Sequence, residues 1–428
     1  MVVIGAGLGG LIAARDLADA GHEVTVLEAR DRVGGRIYTT TFPGTSTEVD
    51  LGAEWGSPDH HLALGAELGR YGLSFEEVDE TESGVWRLDG QIRNTGGADA
   101  RVCLSERERA ELDGALDVLA ADARALGFEG ADDSPAADRL DITFTEYVES
   151  LNLSRIGNEL LYSTAFSFAG GDPDEYGAWM LVREIAGYDS EPEVLFGDDY
   201  RISGGSSSLP RAIAAELGDR IRLGVQVSSV RDDDEAVSVS TSDGEELRAA
   251  AVIVAVPINV LGELEFANSE ISSRIKALGG SHAGAASKVW ARSPNLPPEV
   301  FGMAWPELPE IYCHPTDPDL VAAFGMPQVF GEPSTQSMQQ LFRGLIPDVE
   351  VEAIFEHDWS NDPLARGTWL AGRPGQRHHT AALREWQGRV LFAGADLDTG
   401  WAGWMDGAIT SGGRAAGKAG LAMGGSRG

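Results

Sequence analysis

The chain opens on Val2-Val3-Ile4 followed at once by Gly5-Ala6-Gly7-Leu8-Gly9-Gly10, an apolar strand that runs into a Gly-x-Gly-x-x-Gly turn. Glycines at these spacings allow a tight turn, a close backbone approach to a pyrophosphate, and close packing of the next helix on the strand. That helix is expected over Leu11 to Ala20, apolar at Leu11, Ile12, Ala14 and Leu17 and ended by Gly21. A second strand, His22 to Glu28, closes on an acid 18 residues after Gly10, where a βαβ unit sets a carboxylate against an adenosine ribose. Gly5, Ala6, Gly7, Gly9, Gly10 and Glu28 are therefore candidate dinucleotide ligands. Almost the whole chain away, Leu391-Phe392-Ala393 leads through Gly394-Ala395-Asp396 to a helix beginning near Trp404-Met405. This second strand, turn and helix answer the first, so the dinucleotide-binding domain is expected to be one that the chain leaves and re-enters.

At 428 residues, 43% of them hydrophobic, the chain has room for two or three domains and a large core. Glu106 to Leu126 and Thr145 to Ala165 have helical spacing and predict a helical cap over 105–199. Gly204-Gly205-Ser206 enters a further helix carrying Pro210 near its start, while Ile221 to Val230, Ala236 to Thr241 and Leu247 to Val256 read as strands. Arg389 to Ala393 is the returning strand. The expected class is α/β: a discontinuous Rossmann-like domain from 1–75, 200–258 and 385–428, and a mixed-sheet substrate domain from 76–199 and 259–384 that includes the cap.

The formal net charge of −35 argues against nucleic-acid and anionic-membrane partners, and is electrostatically compatible with a cationic substrate. Two cysteines, Cys103 and Cys313, form neither a disulfide framework nor a short-spaced metal pair, which fits a reducing cytoplasm. The doublets His60-His61 and His378-His379 lack any His-x-x-x-His or Cys-x-x-Cys companion, and no metal site is expected. No apolar run is long enough for a membrane anchor. Because Met1 sits directly on the first strand, residues ahead of it, including a processed leader and hence export, stay open, as does a homodimer.

The glycine turn and Glu28 alone leave FAD and NAD open. The next residues, Ala29-Arg30-Asp31-Arg32-Val33-Gly34-Gly35-Arg36, resemble the Arg-x-Gly-Gly-Arg extension of the flavin-containing amine oxidases, a family with polyamine oxidases, L-amino-acid oxidases and protoporphyrinogen oxidases among its members. The resemblance continues through Asp50-Leu51-Gly52-Ala53-Glu54-Trp55, Gly204-Gly205, Val225-Gln226-Val227, Val254-Ala255-Val256-Pro257 and Phe392-Ala393-Gly394. It implies FAD as cofactor. It further implies that Ala29, Arg30, Gly34, Gly35 and Arg36 serve the phosphates, and that Gly52, Ala53, Glu54 and Trp55 line the flavin ring. Val227 is expected at the adenine, Pro257 along the cofactor wall, and Gly394, Ala395 and Asp396 at the pyrophosphate and ribityl chain. Asp396 stands where a glutamate is usual. The helix from Trp404 and Met405 through Ala408 is expected to aim its positive end at the flavin, which stabilises an anionic reduced ring.

The same resemblance puts Trp404 at one tyrosine position of the monoamine oxidase aromatic cage, and Trp369, in Gly367-Thr368-Trp369, at the other. Lys288 matches the family lysine that holds a water near flavin N5. No cysteine occupies the position of the covalent flavin tether, so FAD is expected to be noncovalent. The reaction implied is oxidation of an amine: hydride passes from the carbon bearing nitrogen to N5, the imine hydrolyses, and oxygen reoxidises the flavin to give peroxide. Two apolar rings favour the neutral amine that this needs, because desolvation disfavours the ammonium. An amine dehydrogenase using a redox protein shares every motif. An L-amino-acid oxidase requires an arginine for the substrate carboxylate, and this chain has Glu54-Trp55 where such relatives carry one. A flavin-free escort protein is the third alternative, and it fits least with an intact glycine turn. The cap aromatics Tyr162, Phe166, Phe168, Tyr176 and Trp179 are expected mainly as core.

Overall fold

Three short apolar strands that lie far apart in sequence, Val2–Ile4, Val252–Val254 and Val390–Phe392, are buried at every residue and run side by side in parallel. A strand covered on both faces reads as an unbroken run of apolar residues, and these do. With Thr25–Leu27 and Ile221–Arg222 they complete a five-stranded sheet. The computed structural model describes the chain except residues 79–80, 129–130, 132–133, 197–199, 234, 298 and 425–428, with the backbone alone at 422–424.

The returning strand pairs with Val252–Val254 and not with Val2–Ile4, so the two chain ends are one strand apart in the sheet. They meet through their helices instead. Helix Leu8–Asp19 packs on the closing helix Met405–Gly424. A Cβ at Gly412 would overlap the Gly9 carbonyl oxygen, and one at Gly9 would lie 3.0 Å from the carbonyl oxygen of Ala408. Small residues on both helices thus permit backbone contact.

Several expected elements are divided. Ile221 to Val230 is split at Gly224, which has a φ of 70° and donates its N–H to the Arg30 carbonyl; the strand before it joins the parallel sheet, and Val227–Asp232 joins an antiparallel one. Leu247 to Val256 is likewise shared between Glu246–Ala249 and Val252–Val254 in different sheets. Thr145 to Ala165 is two helices, Phe144–Ser150 and Arg155–Ala169, because Asn152 turns at a φ of 54° and Ser154 starts a new helix by accepting the Gly157 N–H. The first helix begins at Leu8, three residues before its expected start, so Gly9 and Gly10 lie inside it.

A seven-stranded mixed sheet carries Ser287–Arg292, Asp317–Gly325 and Leu308–His314 as neighbours, with Ser83–Leu88 pairing in parallel on Val300–Ala304. Helix Arg155–Ala169 packs on strand Leu308–His314. Glu106–Leu126 forms as expected, with Ser105 and Glu108 closing a reciprocal cap. Among the described residues no helix is long and apolar enough to cross a membrane.

Candidate active site

The glycine turn, the returning turn and the two tryptophans open on one cavity. Its wall holds Gly5, Gly7 and Gly9, together with Glu28, Ala29, Arg30 and Val227. Gly34, Gly35 and Arg36 continue it towards Gly394 and Ala395. Pro257, Gly52, Ala53, Lys288, Trp369, Trp404, Met405 and Ala408 line the same cavity.

These residues suit a dinucleotide. A Cβ built at Gly7 or at Gly394 would meet no protein atom within 4 Å, so both backbones lie open to the cavity. Gly7 precedes helix Leu8–Asp19 with no side-chain cap, which leaves the first-turn N–H groups and the positive helix end to an anion. The Glu28 carboxylate is held by two backbone N–H groups, Ala6 donating to Oε2 at 2.7 Å and Arg30 to Oε1 at 2.8 Å. Each oxygen keeps a lone pair for a hydroxyl.

Five of the expected residues are absent from the wall. Ala6 acts through the N–H just described. Gly10 is a packing glycine: a Cβ there would overlap the Gly5 carbonyl oxygen. The Asp396 carboxylate turns from the cavity to Arg36, at 2.7 Å, and to the Ile258 N–H, at 3.1 Å. Burial alone would raise its pKa, but Arg36 and His282 outweigh that and hold it below the usual carboxylate range. Trp55 packs edge-on to Tyr312 and under the Arg201 guanidinium.

Glu54 also turns away. It makes an ion pair with Lys288, receives the Tyr312 hydroxyl at 2.6 Å, and faces Arg201 Nε at 2.7 Å. Burial opposes its charge, yet the two cations prevail and lower its pKa. Lys288 additionally donates to the Gly52 carbonyl at 3.4 Å. Its ammonium is thus engaged by protein groups at the cavity edge, in a pair that is 3–4% exposed.

Trp369 and Trp404 reach the cavity from segments that touch: a Cβ at Gly403 would lie 3.2 Å from the Leu370 amide nitrogen. Of the cap aromatics, Phe166, Phe168, Tyr176 and Trp179 are buried in the core and none lines this cavity. Sequence reasoning missed Phe324 and Trp359, both on the wall. Phe324 lies in a wholly apolar strand run that signals only core, and Trp359 is fixed by donating to the Leu51 carbonyl at 2.8 Å, a partner 308 positions away. Every arginine on the wall already faces a carboxylate: Arg30 Asp362, Arg36 Asp396 and Arg366 Glu263.

The sequence model described as flavin containing amine oxidoreductase matches residues 8–419. The chain belongs to that family. Among its relatives, (S)-6-hydroxynicotine oxidase of Paenarthrobacter nicotinovorans is 31% identical over 95% of this chain and 96% of that protein. Pseudooxynicotine dehydrogenase of a Pseudomonas species is 28% identical over 96% of this chain and 84% of that protein. In fold, this amine oxidoreductase matches putrescine oxidase with a TM-score of 0.87 over 98% of both chains at 24% identity. It matches cyclohexylamine oxidase of Brevibacterium oxydans with a TM-score of 0.84, over 100% and 99% of the two chains at 22% identity. It is an FAD-dependent enzyme that oxidises amines at a C–N bond.

Proposed function

We propose that the enzyme takes its amine between Trp369 and Trp404, and that residues 1–75, 200–258 and 385–428 bind FAD while 76–199 and 259–384 shape the substrate side. The observation that carries this is the shared cavity: two tryptophans from separate segments line the same space as the glycine turn. FAD, when bound, would supply the two-electron acceptor for the α-hydrogen that leaves the amine as hydride. The indole faces exclude water and disfavour the ammonium form, so the amine is held neutral with its lone pair free. Lys288, occupied by Glu54 and Gly52, is a polar fixture at the edge of this slot and not the base that begins the reaction. Water then hydrolyses the imine to a carbonyl compound.

FAD is held noncovalently: Gly367 and Thr368 stand at the family's tether position, and neither cysteine is on the wall. Oxygen is the proposed acceptor, giving peroxide; a redox protein is the other, since the relatives include an oxidase and a dehydrogenase. Anaerobic mixing with nicotine-type amines, cyclohexylamine, putrescine, benzylamine and L-amino acids tests the substrate class by flavin bleaching. Bleaching by amino acids alone refutes the amine reading. Bleaching that air does not reverse refutes oxygen. Trp404→Ala should lower amine turnover with flavin still bound, and unchanged kinetics would remove the slot.

A further inference from the structure

Both indole N–H groups of the slot are tied to the helical layer above it. Trp369 donates to the Phe168 carbonyl at 2.6 Å, on helix Arg155–Ala169. Trp404 donates to Glu184 Oε1 at 3.4 Å, on helix Ala178–Gly187. The first acceptor is backbone, which a side-chain substitution at 168 leaves in place. The second is a side chain and therefore open to variation.

Glu184 is an unusual residue to find there. Its helix is buried at every position from Ala178 to Ile185, and Glu184 itself is 4% exposed. Its second carboxyl oxygen, Oε2, has no hydrogen-bond partner among the described residues. Burial, against the opposing pull of Arg183 and Trp404, raises its pKa to about 8, so the carboxyl is largely neutral at pH 7. A polar group placed in a core without full satisfaction is costly, and the one hydrogen bond it makes among those described is to Trp404.

The remaining neighbours of Trp404 do not restrain its N–H. His61, Phe168 and Trp401 meet the indole ring at centroid distances of 4.8, 6.3 and 6.3 Å. His61 is fully buried, and its Nδ1 is taken by the Ser57 N–H. Ring contacts of this kind fill space, whereas the contact to Glu184 fixes which way the indole edge points. Trp404 immediately precedes the closing helix, and Glu184 lies on helix Ala178–Gly187, so the bond ties the start of the one to the other.

We propose that Glu184 is a positioning residue for Trp404: by accepting the indole N–H it sets the width of the slot, and so discriminates amines by their girth. This rests on Trp404 being a wall of the substrate slot. With the tether removed, the indole is free to turn, and broad cyclic amines gain relative to slender linear ones.

The test uses the full FAD-loaded protein labelled with 5-fluorotryptophan, with Trp404→Phe identifying the Trp404 fluorine resonance. Glu184→Gln retains an acceptor oxygen and should keep both that resonance and the ratio of kcat/KM for cyclohexylamine over n-hexylamine within about twofold. Glu184→Leu should move or broaden the resonance and raise the ratio by about five- to tenfold, the scale of one lost hydrogen bond. If Glu184→Leu does not accumulate as folded protein, Glu184→Met carries the same expectation. An unmoved resonance with an unchanged ratio overturns the tether. A moved resonance with an unchanged ratio overturns the selectivity role and shows that the slot assignment of Trp404 is what failed.

Discussion

Gly7 and Gly10 belong to one motif yet should fail in opposite ways when a methyl group is added. Gly7 has a φ of −68° and a ψ of 170°, a conformation open to alanine, and its Cβ would meet no protein atom within 4 Å. In the flavin-free protein, Gly7→Ala should therefore be neutral or stabilising by about 0.4–1 kcal/mol, through the lost freedom of the unfolded chain. The same methyl projects into the cavity, where a bound pyrophosphate would approach the backbone. Overpacking costs about 1–3 kcal/mol, which corresponds to FAD binding weaker by about 5- to 150-fold. Gly10→Ala places its methyl against the Gly5 carbonyl oxygen and 3.1 Å from Ala255 Cβ. It should destabilise the flavin-free protein itself by about 3 kcal/mol or more, since helix and strand must separate. The assay is thermal unfolding of deflavinated protein, beside an FAD titration followed by flavin fluorescence. Wild-type FAD affinity in Gly7→Ala, or a flavin-free Gly7→Ala that melts clearly lower than wild type, would refute the assignment of the turn.

Two further outcomes follow from the buried charges. Glu54→Gln leaves Lys288 and Arg201 together without their carboxylate, whereas Lys288→Met leaves Glu54 still facing Arg201 and Tyr312. Breaking a buried pair costs about 3–5 kcal/mol, so urea unfolding should rank Glu54→Gln as the more damaging change, with the double variant costing less than the sum; strict additivity would show that the pair is uncoupled. His61 is held neutral by burial and, next, by the neighbouring His60, with its pKa lowered to about 3. The unfolded chain takes up that proton below about pH 6.5 and the folded one does not, so this histidine makes stability fall as pH drops from 6.5 towards 3. By pH 5 the effect is about 2 kcal/mol. His61→Gln should remove it, and a melting temperature that falls as steeply between pH 7 and pH 5 in the variant would contradict the argument.

Local patterns in the sequence were enough for the strand, turn, helix and acid of the first 28 residues, because each signal is carried by near neighbours. Trp369 and Trp404 were singled out by the family resemblance and not by local pattern, and both line the one cavity. What escaped was direction. Glu54 sits one residue from the cavity wall, and whether it faces in or out depends on Arg201, Lys288 and Tyr312, none of which is close in sequence. Apolar runs such as Ile221 to Val230 do not reveal that a glycine hands the chain from one sheet to another, since both halves are equally suited to a strand. Glu184 had a legible signal that was not read: Arg183-Glu184 interrupts an otherwise apolar helix, and a charge in such a run asks for a reason.

The order of strands in the parallel sheet bears on how the protein is made. Residues 2–4 leave the ribosome long before their neighbour 252–254, and 390–392, which complete the sheet, come later again. Gly394 and Trp404, which both line the cofactor cavity, follow later still. Nascent chains therefore carry the glycine turn well before the returning turn is there to close over a flavin. The cavity is complete only once the returning strand and turn are in place, and until 252–254 arrives the first strand, paired on one side by Thr25–Leu27, keeps an open edge on the other.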